Sequence, residues 1–488
     1  MKKIAALAVV LSLLVSINAC KKKDSSPDTP VTPVPPVTTA TEKDLLADSV
    51  YLYSKEVYLW HSVIPAYAQF NPRQYEVSDE MTSAENVLDA IRKLQPLDRY
   101  SFVTTTEESS GLQTGNNSDY GFFIKAAALD LALPYDSVHW FVSYVYNGST
   151  AGTAGVQRGW YINKINGTTI GYDQSSVNIL NDVFFGSSTS ATFEFTKPDG
   201  STVTANLSKT EFTANSVLYD TVYRSTDRSK KVGYFVFNQF FGAPSRAELA
   251  NVFSYFQQQG INELIVDLRY NRGGSTETQD TLADLIAPLA ANNQMMYQYI
   301  YNDSLQAGNF PLMRHKYGIT DNPFSPQNNT VKYAKAGTIN LSRVFFIVTG
   351  STASASELLI NNLRPYMDVK LVGDTTYGKP VGFFPIDIFN YSIYPISFKT
   401  VNSAGSADYY SGFAPDKLTP DGVDKNWGDI EEPSLATALN YIITGSFGRR
   451  TGATDAQNRN LLMQQKQFAP LSNKLSEKKF NGMFPERR

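Results

Sequence analysis

The sequence predicts a multidomain α/β plus β protein preceded by a helical segment. Three observations carry that expectation. From about Lys231 to Ser446, apolar strand-like runs alternate with helical stretches, as parallel βαβ units do. From about Gly121 to Leu207 the text changes to short strands broken by Gly-containing turns, which marks a separate β-rich domain. The length of 488 residues exceeds one ordinary domain. A hydrophobic fraction of 42% and an aromatic fraction of 13% suit a substantial core. The formal net charge of -3 gives no support for a nucleic-acid partner.

Residues 1–20 read as a processing signal. Lys2 and Lys3 form a basic start, Ile4 to Val15 an apolar run too short to span a bilayer comfortably, and Ile17-Asn18-Ala19-Cys20 follows. Small residues before the single cysteine resemble a bacterial lipobox, which makes Cys20 the expected lipid-bearing residue. An ordinary secretory peptide with a chance cysteine is the other reading. The anchor would place the protein in the cell envelope. Lys21, in place of an aspartate, favours the outer membrane, with the face unresolved. No further cysteine exists, so there is no disulfide framework, thiolate nucleophile or Cys-based zinc site. Residues 21–41, rich in Pro, Thr, Ser and Lys, read as an extended tether.

Residues 42–110 form the helical region. Leu45, Leu46, Val50, Tyr53, Val57 and Trp60 recur at helical spacing, and a second helix is expected over Ala84–Leu94. Leu97-Asp98-Arg99-Tyr100-Ser101 then reads as a turn. The β-rich domain occupies 111–210. It opens on Gly121-Phe122-Phe123-Ile124, and the Asn-Gly between Ile165 and Thr168 predicts a tight hairpin. The α/β core occupies 211–447. Its expected strands are Val232–Phe237, Leu264–Leu268, Val344–Val348 and Val369–Val372; its expected helices are Ser245–Gln259 and one starting at Glu357–Leu363. Residues 448–488 read as a basic tail, loosely ordered at its end.

In a parallel sheet, function gathers at the carboxyl ends of the strands. Three such ends carry unusual residues: Asn271-Arg272-Gly273-Gly274, the run GSTASASE from Gly350 to Glu357, and Gly373 through Tyr377-Gly378-Lys379. A right-handed crossover between the last two strands would bring Ser354 and Lys379 to one rim. A serine hydroxyl needs a base to become a nucleophile. The three histidines, His61, His139 and His315, sit in no stretch that looks like a site. A lysine can serve where burial keeps it neutral, and Ser-Lys pairs are a known variant of the triad. Glycines at 273 and 274 let backbone N–H groups approach an oxyanion. The same residues have plainer readings. Ser354-x-x-Glu357 is a capping box, Asn-x-Gly-Gly a turn, and Lys379 a solvated lysine. The capping and nucleophile readings are compatible, because a helix N-terminus presents the positive end of its dipole.

These motifs resemble the carboxyl-terminal processing peptidases, also called tail-specific proteases. Leu97 to Ser101 is similar to the family's Leu-Asp-Pro-His-Ser turn, although Arg99-Tyr100 departs from it. Gly121 to Ile124 and Ala154-Gly155 through Gly167 are similar to its PDZ domain. Gly233-Tyr234-Phe235, Asp267 through Gly274, GSTASASE and Tyr377-Gly378-Lys379 are similar to its protease core. The resemblance implies a ClpP/crotonase-like core with a PDZ-like domain ahead of it. It implies a serine endopeptidase without cofactor or metal. Ser354 would be nucleophile, Lys379 general base and Glu357 an accessory acid orienting the lysine. Backbone N–H groups of Ala355 and of Gly273 or Gly274 would form the oxyanion hole. Gly121, Phe122, Phe123 and Ile124 would bind the carboxylate of polypeptide C-terminal segments, the peptide adding as a strand. Many members have Gly-Lys-Gly and a glutamine four places after the lysine; here Pro380 and Phe383 stand instead. Asn292 to Lys335, rich in Tyr, Asn and Pro, reads as an insertion bordering the cleft. A non-catalytic peptide- or ligand-binding lipoprotein on the same scaffold is the alternative, and acyl transfer on a thioester a third. Oligomeric state is left open.

Overall fold

A six-stranded sheet forms the middle of the molecule, which was described from a computed structural model covering residues 40–128, 138–447 and 482–485. Residues 1–39, which include Cys20 and the expected signal segment and most of the expected tether, and most of the tail lie outside the described residues. The sheet runs Val217–Arg224, Lys231–Phe237, Glu263–Asp267, Arg343–Val348, Asp368–Gly373, Lys417–Leu418. The first pair is antiparallel and every later pairing is parallel. Each expected core strand is present within about one residue of its predicted bounds.

The near-continuous apolar text of these strands has a direct cause. Alternate residues serve two different cores, because side chains alternate across a strand. Phe235, Phe237, Leu264, Val266, Val344, Phe346 and Val348 face the main core. Val232, Tyr234, Val236, Ile265, Phe345 and Ile347 face a second core, closed by Leu435, Ala438 and Ile442 of the helix Pro433–Thr444. On the main-core side lie the helices Ala243–Gln259, Thr276–Ile286 and Ala355–Leu363. The last of these is buried along its whole length.

The helical region differs in part from expectation. Helices Glu42–Val57 and Glu80–Arg92 are present, the second capped by Asp79 accepting from Thr82 N–H at 2.8 Å. Beyond them the chain turns to strand Phe102–Thr105, which pairs with Tyr391–Tyr394. The aromatic and β-branched residues there favour a strand as soon as an edge is offered.

The β-rich domain is a sheet in the order Phe122–Ala128, Val138–Val145, Tyr161–Ile165, Ser190–Thr196, Thr202–Ser208, with helix Gln174–Phe185 on a core of its own. Asn166 and Gly167 both have positive φ, 50° and 81°, as a two-residue hairpin turn requires. A ribbon of Asn116–Asp119 and Thr210–Thr213 brings the domain's entrance and exit together. Arg158 of this domain is buried. It donates to Asp421 Oδ1 at 2.9 Å and to Tyr270 Oη at 2.7 Å, and Asp421 also accepts from Arg269 at 3.2 Å. One buried carboxylate thus joins the small domain to the core.

The 292–335 stretch is folded, not an open loop. Met295–Ile300 lies between Thr330–Lys332 and Ile396–Asn402 in a four-stranded sheet ending at Val381–Phe383. Asn302 Nδ2 donates to the carbonyls of Glu56 and Tyr58, both at 3.0 Å, so this stretch also holds the helical region in place. In the tail, Gly482–Phe484 forms a buried strand parallel to Gly273–Ser275. That part is ordered against the core, contrary to the loose end expected from its charge, because Met483 and Phe484 supply apolar surface to bury.

Candidate active site

The three strand ends converge as topology demands, and hydrogen bonds lock their loops together. Asn271 carbonyl accepts from Ala353 N–H at 3.0 Å and from Ser356 Oγ at 3.2 Å. Its side chain donates to Phe237 carbonyl at 2.9 Å and accepts from Gly273 N–H at 2.9 Å. Thr352 Oγ1 donates to Leu268 carbonyl at 2.7 Å, and Tyr377 N–H donates to Thr352 carbonyl at 3.0 Å. The serine loop is therefore fixed to the glycine loop on one side and to the lysine loop on the other.

Ser354 sits at the N-cap of Ala355–Leu363 with φ 59° and ψ -108°. A non-glycine residue at positive φ outside the left-handed helical well is strained, and such strain is held only where surroundings over-determine it. The capping-box arrangement is in place, but only its Glu357 arm reaches full hydrogen-bond geometry. Ser354 N–H donates to Glu357 Oε2 at 3.0 Å, whereas Ser354 Oγ is buried without a hydrogen-bond partner. A buried hydroxyl left without a partner costs about 1–3 kcal/mol. A purely capping serine would have spent it on the helix.

Glu357 is wholly buried, and its carboxylate accepts from four donors. Thr376 Oγ1 (2.6 Å) and Gly378 N–H (2.7 Å) bond Oε1; Lys379 N–H (2.8 Å) and Ser354 N–H bond Oε2. Burial pushes this carboxyl up, against the pull of those bonds. The carboxylate thus grips the backbone that carries the lysine. Lys379 is fully buried, with Nζ 3.7 Å from the Phe383 ring centroid and 5.0 Å from that of Tyr100. Burial holds its ammonium well below the usual lysine range, opposed by the charges of Asp98 and Glu357. A solvated lysine is excluded by this position.

The Asp98–Ser101 turn was legible only as a turn, yet it walls the lysine pocket. Asp98 Oδ1 accepts from Tyr100 and Ser101 N–H at 2.9 Å each, which shapes the turn. Tyr100 Oη donates to Gly378 carbonyl at 2.6 Å, and burial pushes its phenol up to about 12. Phe383 offers Nζ a ring face.

Gly273 and Gly274 have φ 103° and 138°, conformations that L-residues rarely adopt. A Cβ on Gly273 would lie 3.0 Å from both Ala355 N and Ser354 Cβ. Ala355 N–H, Gly273 and the serine therefore surround one point. Gly273 N–H donates to Asn271 Oδ1.

Gly121 to Ile124 sit at the start of the strand Phe122–Ala128, Phe123 packing in a cluster that includes Tyr144, Phe241 and Tyr270. Gly121 N–H donates to Asp119 Oδ1 at 2.6 Å, and Phe122 is buried against Phe184. Phe123 and Ile124 are half-buried, with Phe123 stacked on Tyr144 at 4.6 Å. Among the described residues, no group of three or more His, Cys, Asp or Glu side chains is gathered to hold a metal ion.

The fold is an α/β protein whose parallel sheet carries a strained serine, a buried lysine and a glycine pair at its strand ends. Residues 231–415 match Peptidase family S41. The chain is 27% identical over 237 residues to a carboxyl-terminal-processing protease of Picosynechococcus sp., covering 48% of this chain and 49% of that relative. It is 23% identical over 315 residues to a “Probable CtpA-like serine protease” of Staphylococcus aureus, covering 64% and 55%. It spans about half the length of these curated relatives. A solved chain from Bacteroides fragilis described as an S41 protease shares the fold, with TM-score 0.60 and 23% identity over 81% of this chain and 97% of that one. These matches relate the 231–415 core to peptidase family S41 and the chain to carboxyl-terminal processing proteases.

Proposed function

We propose that the protein is a serine endopeptidase using Ser354 as nucleophile and Lys379 as base. The observation that carries this is the pairing of a strained serine, its Oγ buried without a partner, with a lysine that burial drives toward neutrality. Neutral Lys379 Nζ would take the Ser354 proton while Oγ bonds the substrate carbonyl carbon. The carbonyl electron pair moves to its oxygen, toward the N–H groups of Ala355 and Gly274. The C–N bond then breaks, and the proton on Nζ passes to the leaving amine. Water, deprotonated in turn by Nζ, hydrolyses the acyl-enzyme and restores Ser354. Glu357 holds the Gly378–Lys379 backbone and does not itself transfer a proton in this scheme.

The β-rich domain is read as PDZ-like, capturing C-terminal segments of polypeptides. Among the described residues its strand Phe122–Ala128 pairs with Val138–Val145 alone and so offers an edge, with helix Gln174–Phe185 alongside. Lipid attachment at Cys20 would hold the enzyme on the cell envelope, where exported proteins are its substrates.

The test is hydrolysis of an unfolded protein by residues 21–488, parent beside Ser354→Ala and Lys379→Ala. Both variants should lose hydrolysis with unchanged circular dichroism. Parental activity in Ser354→Ala would refute the mechanism. Peptide binding without turnover by the parent would favour a binding protein on the same scaffold.

A further inference from the structure

The site is closed: Ser354 and Lys379 are 0% exposed. Part of what closes it is the strand Gly482–Phe484. It runs parallel to Gly273–Ser275 in the register Gly273↔Gly482, Gly274↔Met483, Ser275↔Phe484. Gly482 N–H donates to Arg272 carbonyl at 3.1 Å, and in a parallel ladder this register turns Gly274 N–H toward the Gly482 carbonyl. A Cβ on Gly273 would collide with that same carbonyl oxygen, at the point already bounded by Ala355 N and Ser354 Cβ. A peptide carbonyl therefore stands among the groups assigned to the oxyanion. On the opposite flank, a Cβ on Gly382, in the strand after the lysine, would lie 2.7 Å from Met483 carbonyl. Thr276 Oγ1 donates to Phe484 carbonyl at 3.4 Å. Met483 and Phe484 are 0% and 1% exposed, Met483 within the main core.

We infer that the slot between Gly273–Ser275 and Val381–Phe383 is the peptide cleft of this site, and that Gly482–Phe484 is its built-in occupant. The inference rests on the peptidase reading above. The segment makes the contacts an extended substrate would make: backbone bonds to the glycine strand, a carbonyl at Gly274 N–H, and two apolar side chains in closed pockets. It competes with substrate, which must displace it to reach Ser354. The cleft accordingly takes an extended peptide with a glycine-sized residue against Gly273 and large apolar residues after it. Glycine is required at 273 for the two strands to lie this close, because a Cβ there would stand 2.4 Å from the Gly482 carbonyl oxygen.

The experiment compares residues 21–488 with the same chain lacking 480–488 and with Met483→Ser, folding being checked by circular dichroism and thermal unfolding. A cleft filled nine-tenths of the time lowers the apparent rate about tenfold. Hydrolysis of an unfolded protein should thus rise about tenfold in the shortened chain and in part for Met483→Ser. In parallel, with Ser354→Ala in each background, a fluorescent peptide of sequence Phe-Asn-Gly-Met-Phe-Pro-Glu-Arg-Arg is titrated by anisotropy. It should bind the shortened chain and not the parent, and its Met→Asp version should bind neither. Unchanged hydrolysis in both variants without peptide binding would overturn the inference and leave the peptidase reading intact. Peptide binding confined to the shortened chain, with no hydrolysis by any form, would overturn the peptidase reading and keep the cleft. Absence of both would overturn both.

Discussion

Glu357→Gln separates holding the lysine from charging it. The substitution keeps shape and volume but replaces one acceptor oxygen with an NH2 group. Four donors converge on the carboxylate, two on each oxygen. If the amide nitrogen takes the Oε2 position, it faces the N–H groups of both Ser354 and Lys379. If it takes the Oε1 position, Thr376 Oγ1 can turn to accept from it, since that hydroxyl already accepts from Phe413 N–H at 2.7 Å and has a second lone pair. Gly378 N–H is then the single orphan. The second orientation is therefore adopted. One orphaned buried N–H, with the loss of charge from the remaining bonds, costs about 2–4 kcal/mol. At roughly 2–4 °C per kcal/mol for a domain of this size, Tm falls by at least about 4 °C.

The kinetic effect has a defined sign. Desolvation lowers the Lys379 pKa, while Asp98 and Glu357 raise it. Neutralising Glu357 removes one of the two raising charges, so the ammonium loses its proton at still lower pH. The base acts when neutral, so the acid limb of kcat/KM should move to lower pH. kcat itself should fall, because the backbone at Gly378–Lys379 is no longer gripped. The assay is the pH profile of hydrolysis beside thermal unfolding. A limb that stays in place or moves up, or an unchanged Tm, would refute the argument.

The core strands were legible because each is buried on both faces, which writes an unbroken apolar run such as Leu264-Ile265-Val266. Ser354 and Lys379 were legible because loops at parallel strand ends meet by topology alone. Local text could not assign what depends on contacts distant in sequence. Tyr100 reads as a turn residue until the fold places Gly378 carbonyl 2.6 Å from its hydroxyl. Strand Phe102–Thr105 exists because Tyr391–Tyr394 offers an edge nearly three hundred residues later. Glu357 reads as an acid that orients the lysine, but that its carboxylate bonds the Gly378 and Lys379 N–H groups is something no motif spells out. Gly482-Met483-Phe484 was hidden inside a basic tail, although a glycine before two large apolar residues was its one available signal.

Tyr100→Phe deletes the bond to Gly378 carbonyl while keeping the ring beside Lys379, so stability should fall by about 0.5–1.5 kcal/mol in denaturant titration and kcat should fall with KM little changed. Lys379→Met should abolish hydrolysis and yet stabilise the fold. In the folded chain the lysine pKa is depressed, whereas in the unfolded chain it stands near about 10.4. Between the two values the unfolded chain binds more protons, so parental stability rises with pH through that window. Below the depressed value the full cost of charging a buried amine is in place, and the curve is flat in this respect. Methionine carries no such charge and sets a polarizable sulfur against Phe383. At pH 7 the variant should therefore exceed the parent by at least about 1 kcal/mol, with the advantage shrinking toward pH 10. Urea titrations at several pH values read both quantities. A variant less stable than the parent at pH 7, or an advantage that grows as pH rises, would mean that Lys379 is charged and well paired in the resting protein, and that Ser354 needs another base.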